Sequence, residues 1–323
     1  MEGRRQTVAD AYLTPILGRP NLHVLCDTLV LRLVVDHGRC VGVDIESDGR
    51  VSTVAVTAGT APGEVVLSAG CTGSPTLLMH SGIGPGDHLA ELGIEVVHDA
   101  PAVGANLHDH PIAGVTWAST GPLPNSQFQH SEVLGLLRSP LADDSGVPDL
   151  QLVALDVPWV PPTVPTPEHG YNINVSLMAP RSRGSVRLAS ADAHAAPLVD
   201  PAYLTDEHDI AVMVAGLRMA RQIGAADALT PWRDREVLPG AEVNDDAGLR
   251  AHLRGTVNPY WHGVGTCAMG VSAGAVVDPS LRVRGVAGLR VVDASVIPTI
   301  PSANTNATVL AIAERAAELL ARP

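Results

Sequence analysis

Taking a proton from an alcohol near neutral pH asks for a base whose pKa lies close by, and His, unperturbed at about 6.5, is the natural one. Of the 13 His in the chain, His262 has the most suggestive setting. It lies in Asn258-Pro259-Tyr260-Trp261-His262-Gly263-Val264-Gly265-Thr266-Cys267, a Gly-rich loop where no apolar periodicity requires it as core. Asn304 sits in a second loop, Pro301-Ser302-Ala303-Asn304-Thr305-Asn306, just ahead of a helical pattern. A loop Asn can donate a hydrogen bond to an alkoxide oxygen without changing charge. The helix that follows offers free N–H groups and a positive dipole end, which suits negative charge on a reduced ring system.

Other chemistries find less support. The 21 basic residues are all Arg, so a Schiff-base or P-loop lysine is excluded. Gly263 to Ala268 fits GxGxxA, but Asn258 to His262 before it holds a Pro and no β-run, so it is no dinucleotide fingerprint. His98, His108, Asp109 and His110 raise a metal site as one alternative, since His-x-His can place two imidazoles on one face of a strand. Structural hydrogen bonding is the other alternative for this group. Cys26, Cys40, Cys71 and Cys267 form no CxxC and read as four small, buried, reduced thiols.

The elements that must hold these residues are legible in part. Leu29 to Val35, Arg39 to Glu46 and Arg50 to Val56 are β-rich and separated by His37-Gly38 and Asp48-Gly49, which predicts an antiparallel meander. Glu64 to Ala69 suits a buried strand. Ser74-Pro75 reads as the cap and first residue of a helix ending at Ser81, and Asp87 as the cap of another stopped by Gly93. Val157 to Glu168 holds five Pro in twelve residues and reads as a loop or lid. Asn172 to Met178 and Gly184 to Leu188 suit strands. His208 to Ile223 carries an apolar stripe at helical spacing, with acids in its first turn. Asn306 reads as the cap of a last helix with a buried stripe at Val309, Ile312, Ala313 and Ala316.

The 323 residues, 46% hydrophobic and 17% charged, suffice for a large core or two ordinary domains. The net charge of −13 without basic runs disfavours nucleic acid as a partner. No apolar run approaches the ~20 residues of a transmembrane helix. The first residues lead into no apolar h-region, which points to a cytoplasmic protein.

Several motifs, in order along nearly the whole chain, together resemble the glucose–methanol–choline (GMC) flavin oxidoreductases. They are GRRQTVADAYLTPILGRPNLHVL, VVLSAGCTGSPTLLMHSGIGP, VGANLHDHP, RSRGSVRLASADAHAAPLVDPAYL, HGVGTCAMG and VVDPSLRVRGVAGLRVVDASVIPTIPSANTNATVLAIAERAAELL. The resemblance implies FAD as cofactor and oxidation of a primary or secondary alcohol in the manner of choline dehydrogenase. Oxygen, a quinone or another redox carrier would be the acceptor. It implies His262 as base and Asn304 as orienter of the substrate oxygen. It places Asp293 and Ala294 at the ribityl–phosphate part, Asn306 and Thr308 at the pyrimidine edge, and Val30 and Gly70 near the adenine side. The fold implied is α/β plus α+β. A Rossmann-like FAD domain would be built from 1–113 and 256–323, and an antiparallel-sheet substrate domain from 114–255.

The family's strand–GxGxxG–helix unit for the ADP half of FAD has no counterpart in this sequence. The FAD domain is therefore expected to be incomplete, with that unit supplied by a preceding segment or a separate chain. The alternative is a non-catalytic fragment or subunit that cannot hold FAD alone.

Overall fold

In the computed structural model, which describes residues 5–56, 63–124, 126, 129–131 and 133–321, two tight turns set the first sheet. His37-Gly38 (φ 47° and 75°) and Asp48-Gly49 (φ 50° and 70°) both adopt left-handed backbone. Such turns match the twist of antiparallel strands. They join β1 (Thr28–Asp36), β2 (Arg39–Ser47) and β3 (Arg50–Ala55) into the expected meander. β4 (Val65–Leu67) then pairs in parallel with Leu289–Val291, far along the chain.

α1 (Gly70–His80) starts five residues before the position read from sequence. Ser74 is not its cap: it is buried inside the helix, and its Oγ donates to Asp293 Oδ2 at 2.5 Å. Pro75 also lies inside, and lacking an N–H it leaves the Cys71 carbonyl without its intrahelical donor. Thr266 Oγ1 fills that role at 2.6 Å, which fastens the His262 loop to α1. Next, β5 (Ile83–Gly84) and β6 (His98–Asp99) flank α2 (Gly86–Glu91). Here Pro85 holds the cap position and Asp87 lies in the first turn, a shift of two residues from the expectation.

The second region is built on β7 (Pro111–Ser119), β8 (Val133–Leu137), β9 (Leu150–Leu155) and β10 (Gly170–Leu177). Between β9 and β10 the Pro-rich stretch forms no regular element. The small pair β11 (Ser185–Arg187) and β12 (Leu198–Asp200) leads to α3 (Glu207–Gly224), capped by Asp206. Then come β13 (Arg233–Leu238), α4 (Asp246–Thr256), β14 (Asn258–Pro259), β15 (Leu289–Val291) and α5 (Asn306–Leu320).

The main sheet is antiparallel, in the order β13-β7-β10-β9-β8, with β14 also on β7. Alternation gives it two unlike faces. Val115, Trp117, Leu152, Ile173 and Val175 pack with Ile210, Met213 and Leu217 of α3. The opposite face carries Thr116, Gln151, Asn172, Asn174 and Ser176, all buried and all polar. A buried polar face is costly unless its groups are hydrogen-bonded, and Thr116, Gln151, Asn172 and Ser176 each donate to a partner within the protein.

Segments from the two chain ends interlock. The β4–β15 pair is flanked by an Arg290–Glu64 ion pair at 2.6 Å, with Arg290 almost fully buried. α5 begins at Asn306, so Asn306 is its first residue and Thr305 its cap. Its expected stripe is only partly covered: Ala316 is buried, Val309 and Ile312 are half-buried, and Ala313 is exposed. Cys40 and Cys267 are buried as expected, whereas Cys71 is half-buried and Cys26 is exposed; all four are free thiols.

Candidate active site

Three elements deliver the groups around His262. Its loop follows β14, which pairs with the start of β7, and β7 follows His110 directly. Asp109 Oδ1 accepts the backbone N–H groups of His262 (2.8 Å) and His110 (2.7 Å), while its Oδ2 accepts the Tyr203 hydroxyl at 2.7 Å. One carboxylate thus sets both imidazole-bearing residues. Trp261 adopts φ 57°, a strained left-handed backbone for a non-Gly residue, directly before His262.

The side chains form one hydrogen-bonded line. Gln151 Nε2 on β9 donates to Asn304 Oδ1 at 3.0 Å. That turns the Asn304 amide so that Nδ2 faces His262 Nε2 at 3.3 Å. On the other side, His262 Nδ1 lies 2.9 Å from His110 Nδ1. Nε2 must accept from the amide, so the proton of neutral His262 sits on Nδ1 and is donated to His110. The backbone of Met178 and of Pro301 lies near the His110 ring, whose Nε2 makes no hydrogen bond. Tyr260 packs against His262 with ring centroids 4.5 Å apart.

Burial pushes the His262 pKa below the ordinary value, and the Asp109 carboxylate only partly opposes this. It drives His110 down to about 3. Both rings are therefore neutral at neutral pH, and His262 Nε2 is a free base. His108 plays another part: Nδ1 faces Asn106 O at 2.7 Å and Nε2 accepts Ile300 N–H at 2.9 Å. With both nitrogens bound to backbone and its pKa held near 4, His108 is a structural residue and not a metal ligand.

The other residues singled out from sequence fall into two further places. Gly70 N–H and the Ser74 hydroxyl donate to Asp293 Oδ2, and Ser295 donates twice to Oδ1. The Asp293 carboxylate is thereby consumed within the protein. Ala294 packs against the cluster of Val264, Ile297 and Ile300, as does Val309, which joins it to the His262 loop and to α5. Asn306 and Thr308 lie in the first turn of α5. Val30 stands apart on β1, paired with Ile45.

The residues present fit the ring end of a flavin. The first turn of α5 has neither a side-chain cap nor an acid, so its N–H groups remain available beside Asn304. Gly70, at φ 78°, has open space where a Cβ would stand, which lets a ligand approach the start of α1 closely.

Comparison with known proteins decides the family. Two sequence models described as GMC oxidoreductase match, one over residues 1–112 and the other over residues 180–313. The chain belongs to the GMC oxidoreductase family. It is 42% identical to choline oxidase of Arthrobacter globiformis over 99% of its own length and 59% of that protein. Its fold superposes on pyridoxine 4-oxidase from Mesorbium loti with a TM-score of 0.91 at 36% identity, covering 98% of this chain and 62% of that one. An FAD-dependent oxidoreductase from Chaetomium thermophilum gives a TM-score of 0.81 at 26% identity, covering 95% and 63%. This GMC chain thus spans about three-fifths of the length of the relatives it matches. The family and these neighbours support FAD as its cofactor. Among the described residues, no helix is long and apolar enough to cross a membrane.

Sequence reasoning singled out His262 and Asn304 but passed over Gln151 and gave His110 and Asp109 only a bland role. Gln151 had a signal: a polar residue at an inner position of the apolar run Leu150 to Leu155.

Proposed function

We propose that this chain carries the flavin-facing and substrate-facing parts of an FAD-dependent oxidoreductase acting on CH–OH donors. The observation that carries this reading is the Asn304–His262–His110 line, which leaves one neutral imidazole nitrogen as a base beside an amide donor. His262 Nε2 takes the hydroxyl proton of the alcohol. Asn304 Nδ2, held by Gln151, donates to the same oxygen and steadies the developing alkoxide. His110 holds His262 in the tautomer that leaves Nε2 unprotonated. Bound FAD would supply the acceptor for the hydride of the carbinol carbon.

Asn306, Thr308 and the first turn of α5 would hold the pyrimidine edge, with Asp293 and Ala294 along the ribityl–phosphate side and Val30 and Gly70 toward the adenine. Since the Asp293 carboxylate is already saturated, its backbone is the part offered. In this reading 1–113 and 256–323 form the cofactor region and 114–255 the substrate region. The pyrophosphate needs further donors, supplied by another segment or a separate chain, and 1–323 alone binds FAD weakly.

His262→Ala in the FAD-loaded protein tests the assignment. The rate of anaerobic flavin reduction by alcohol should fall about 10²-fold or more with FAD content unchanged. Loss of FAD at an unaltered rate per remaining flavin would make His262 structural.

A further inference from the structure

A buried carboxylate must be met by donors, and Asp109, at 7% exposure, is met by uncharged ones. Oδ1 takes the backbone N–H groups of His262 and His110, so Oδ2 is left for a side chain. The Tyr203 hydroxyl donates to that oxygen at 2.7 Å.

An unusual turn brings Tyr203 there. Ala202 and Leu204, on either side of it, adopt φ 50° and 58°, left-handed backbone at two residues that carry a Cβ. Ala202 N–H donates to Asp200 Oδ1 and the Thr205 hydroxyl to Ala202 O, which fixes the turn between β12 and α3. Leu204 is buried with the α3 core. Strain on both sides of one residue persists only where the surroundings hold that residue in place.

Burial and the Asp109 carboxylate push the Tyr203 phenol far above its ordinary pKa, so the hydroxyl is a donor throughout the working range. The other titratable groups near His262 and Asp109 are His110, Tyr260 and, from α1, the Cys71 thiol. Burial keeps His110 neutral and raises the pKa of Tyr260 and Cys71, so none of the three is charged at neutral pH. Among the described residues, Asp109 is therefore the charge that acts on the His262 ring.

We propose that Tyr203 is a positioning residue for His262, acting through Asp109. Its hydroxyl fixes the carboxylate so that one oxygen holds both imidazole-bearing residues, and it weakens the negative field on the His262 ring. The proposal rests on the reading of His262 as the base and concerns the strength of that base. A nearby anion favours the protonated imidazole, and a donor on the anion reduces that pull. Tyr203 thus keeps His262 unprotonated further into the acid range.

Tyr203→Phe keeps the ring and removes the hydroxyl. In the FAD-loaded protein, the His262 Cε1–H NMR signal, assigned by its loss in His262→Gln, is followed against pH. Anaerobic flavin reduction by benzyl alcohol is measured over the same range. The His262 midpoint should move up by about half a pH unit or more in Tyr203→Phe, and down in Asp109→Asn, where the charge is gone. The acid limb of the reduction rate should move with it. The plateau rate in Tyr203→Phe should fall about tenfold with little change in the apparent Kd. A residue that merely anchors α3 would lower the melting temperature and leave the midpoint in place, and that result overturns the proposal. A midpoint that shifts without any response in the rate profile keeps the role of Tyr203 and sinks His262 as base. A wild-type acid limb at the His262 midpoint, with both unmoved in Tyr203→Phe, keeps the base and sinks the role of Tyr203. Should Tyr203→Phe fail to fold, the wild-type Tyr203 Cζ signal decides, assigned by elimination with Phe at each of the other tyrosines. It should inflect at the His262 midpoint, and a trace without that inflection overturns the proposal.

Discussion

Two neutral histidines joined through their Nδ1 atoms cannot both carry a proton there, and that restriction gives His262 its direction. His110, with its pKa held near 3 by burial, stays an acceptor across the working pH range. His110→Ala removes the acceptor, frees His262 to put its proton on either nitrogen and lets the ring turn. The flavin-reduction rate should then fall about tenfold, the worth of one good hydrogen bond, with little change in KM. His110→Asn restores a carbonyl acceptor and should recover most of the loss; a variant that merely disturbs packing would show no such rescue. His262 and Asn304 could be singled out from residue type and loop setting alone. The line between them could not, because Gln151 lies 153 positions from Asn304 and reaches it only once β9 faces the start of α5.

Elements show the same division between local and distant causes. Both turns of the β1–β3 meander were legible because two residues suffice to set them. The start of α1 was not: Ser74-Pro75 has the local signature of a cap, yet Asp293, 219 positions away, draws Ser74 into the helix. The His262 loop depends on a similar distant contact. Gly265 adopts φ 96°, and a Cβ there would stand 2.3 Å from Asn106 O and 2.8 Å from His108 Cε1. Neither backbone nor a buried ring yields cheaply, so Gly265→Ala should destabilise the protein by at least about 2 kcal/mol. Gly274, with nothing within 4 Å of the same position and no left-handed φ, is the control. Gly274→Ala should leave the urea midpoint within error, and equal midpoints for the two variants would dismiss the steric account.

At the scale of the whole molecule, the buried histidines make stability depend on pH. In the unfolded chain His108 and His110 titrate near 6.5, whereas in the fold burial holds them near 4 and 3. Between these limits the unfolded state binds protons that the folded state refuses, so stability rises with pH across the window and is lost as pH falls through it. At pH 5 each ring contributes a loss of about 2 kcal/mol, from 1.5 pK units at about 1.4 kcal/mol each. Together that is a large share of the 5–15 kcal/mol that holds a typical domain. His80 and His252 are shifted the same way by burial and add to the trend. The melting temperature should therefore fall steeply between pH 6.5 and pH 4.5 while staying level from pH 7 to pH 8. His108 gives the sharper check, since it touches backbone only and stands outside the proposed chemistry. His108→Gln cannot ionise, so its melting curve should flatten in the acid range even though its neutral-pH stability drops. An unchanged acid slope in that variant would dismiss His108 as a source of the sensitivity.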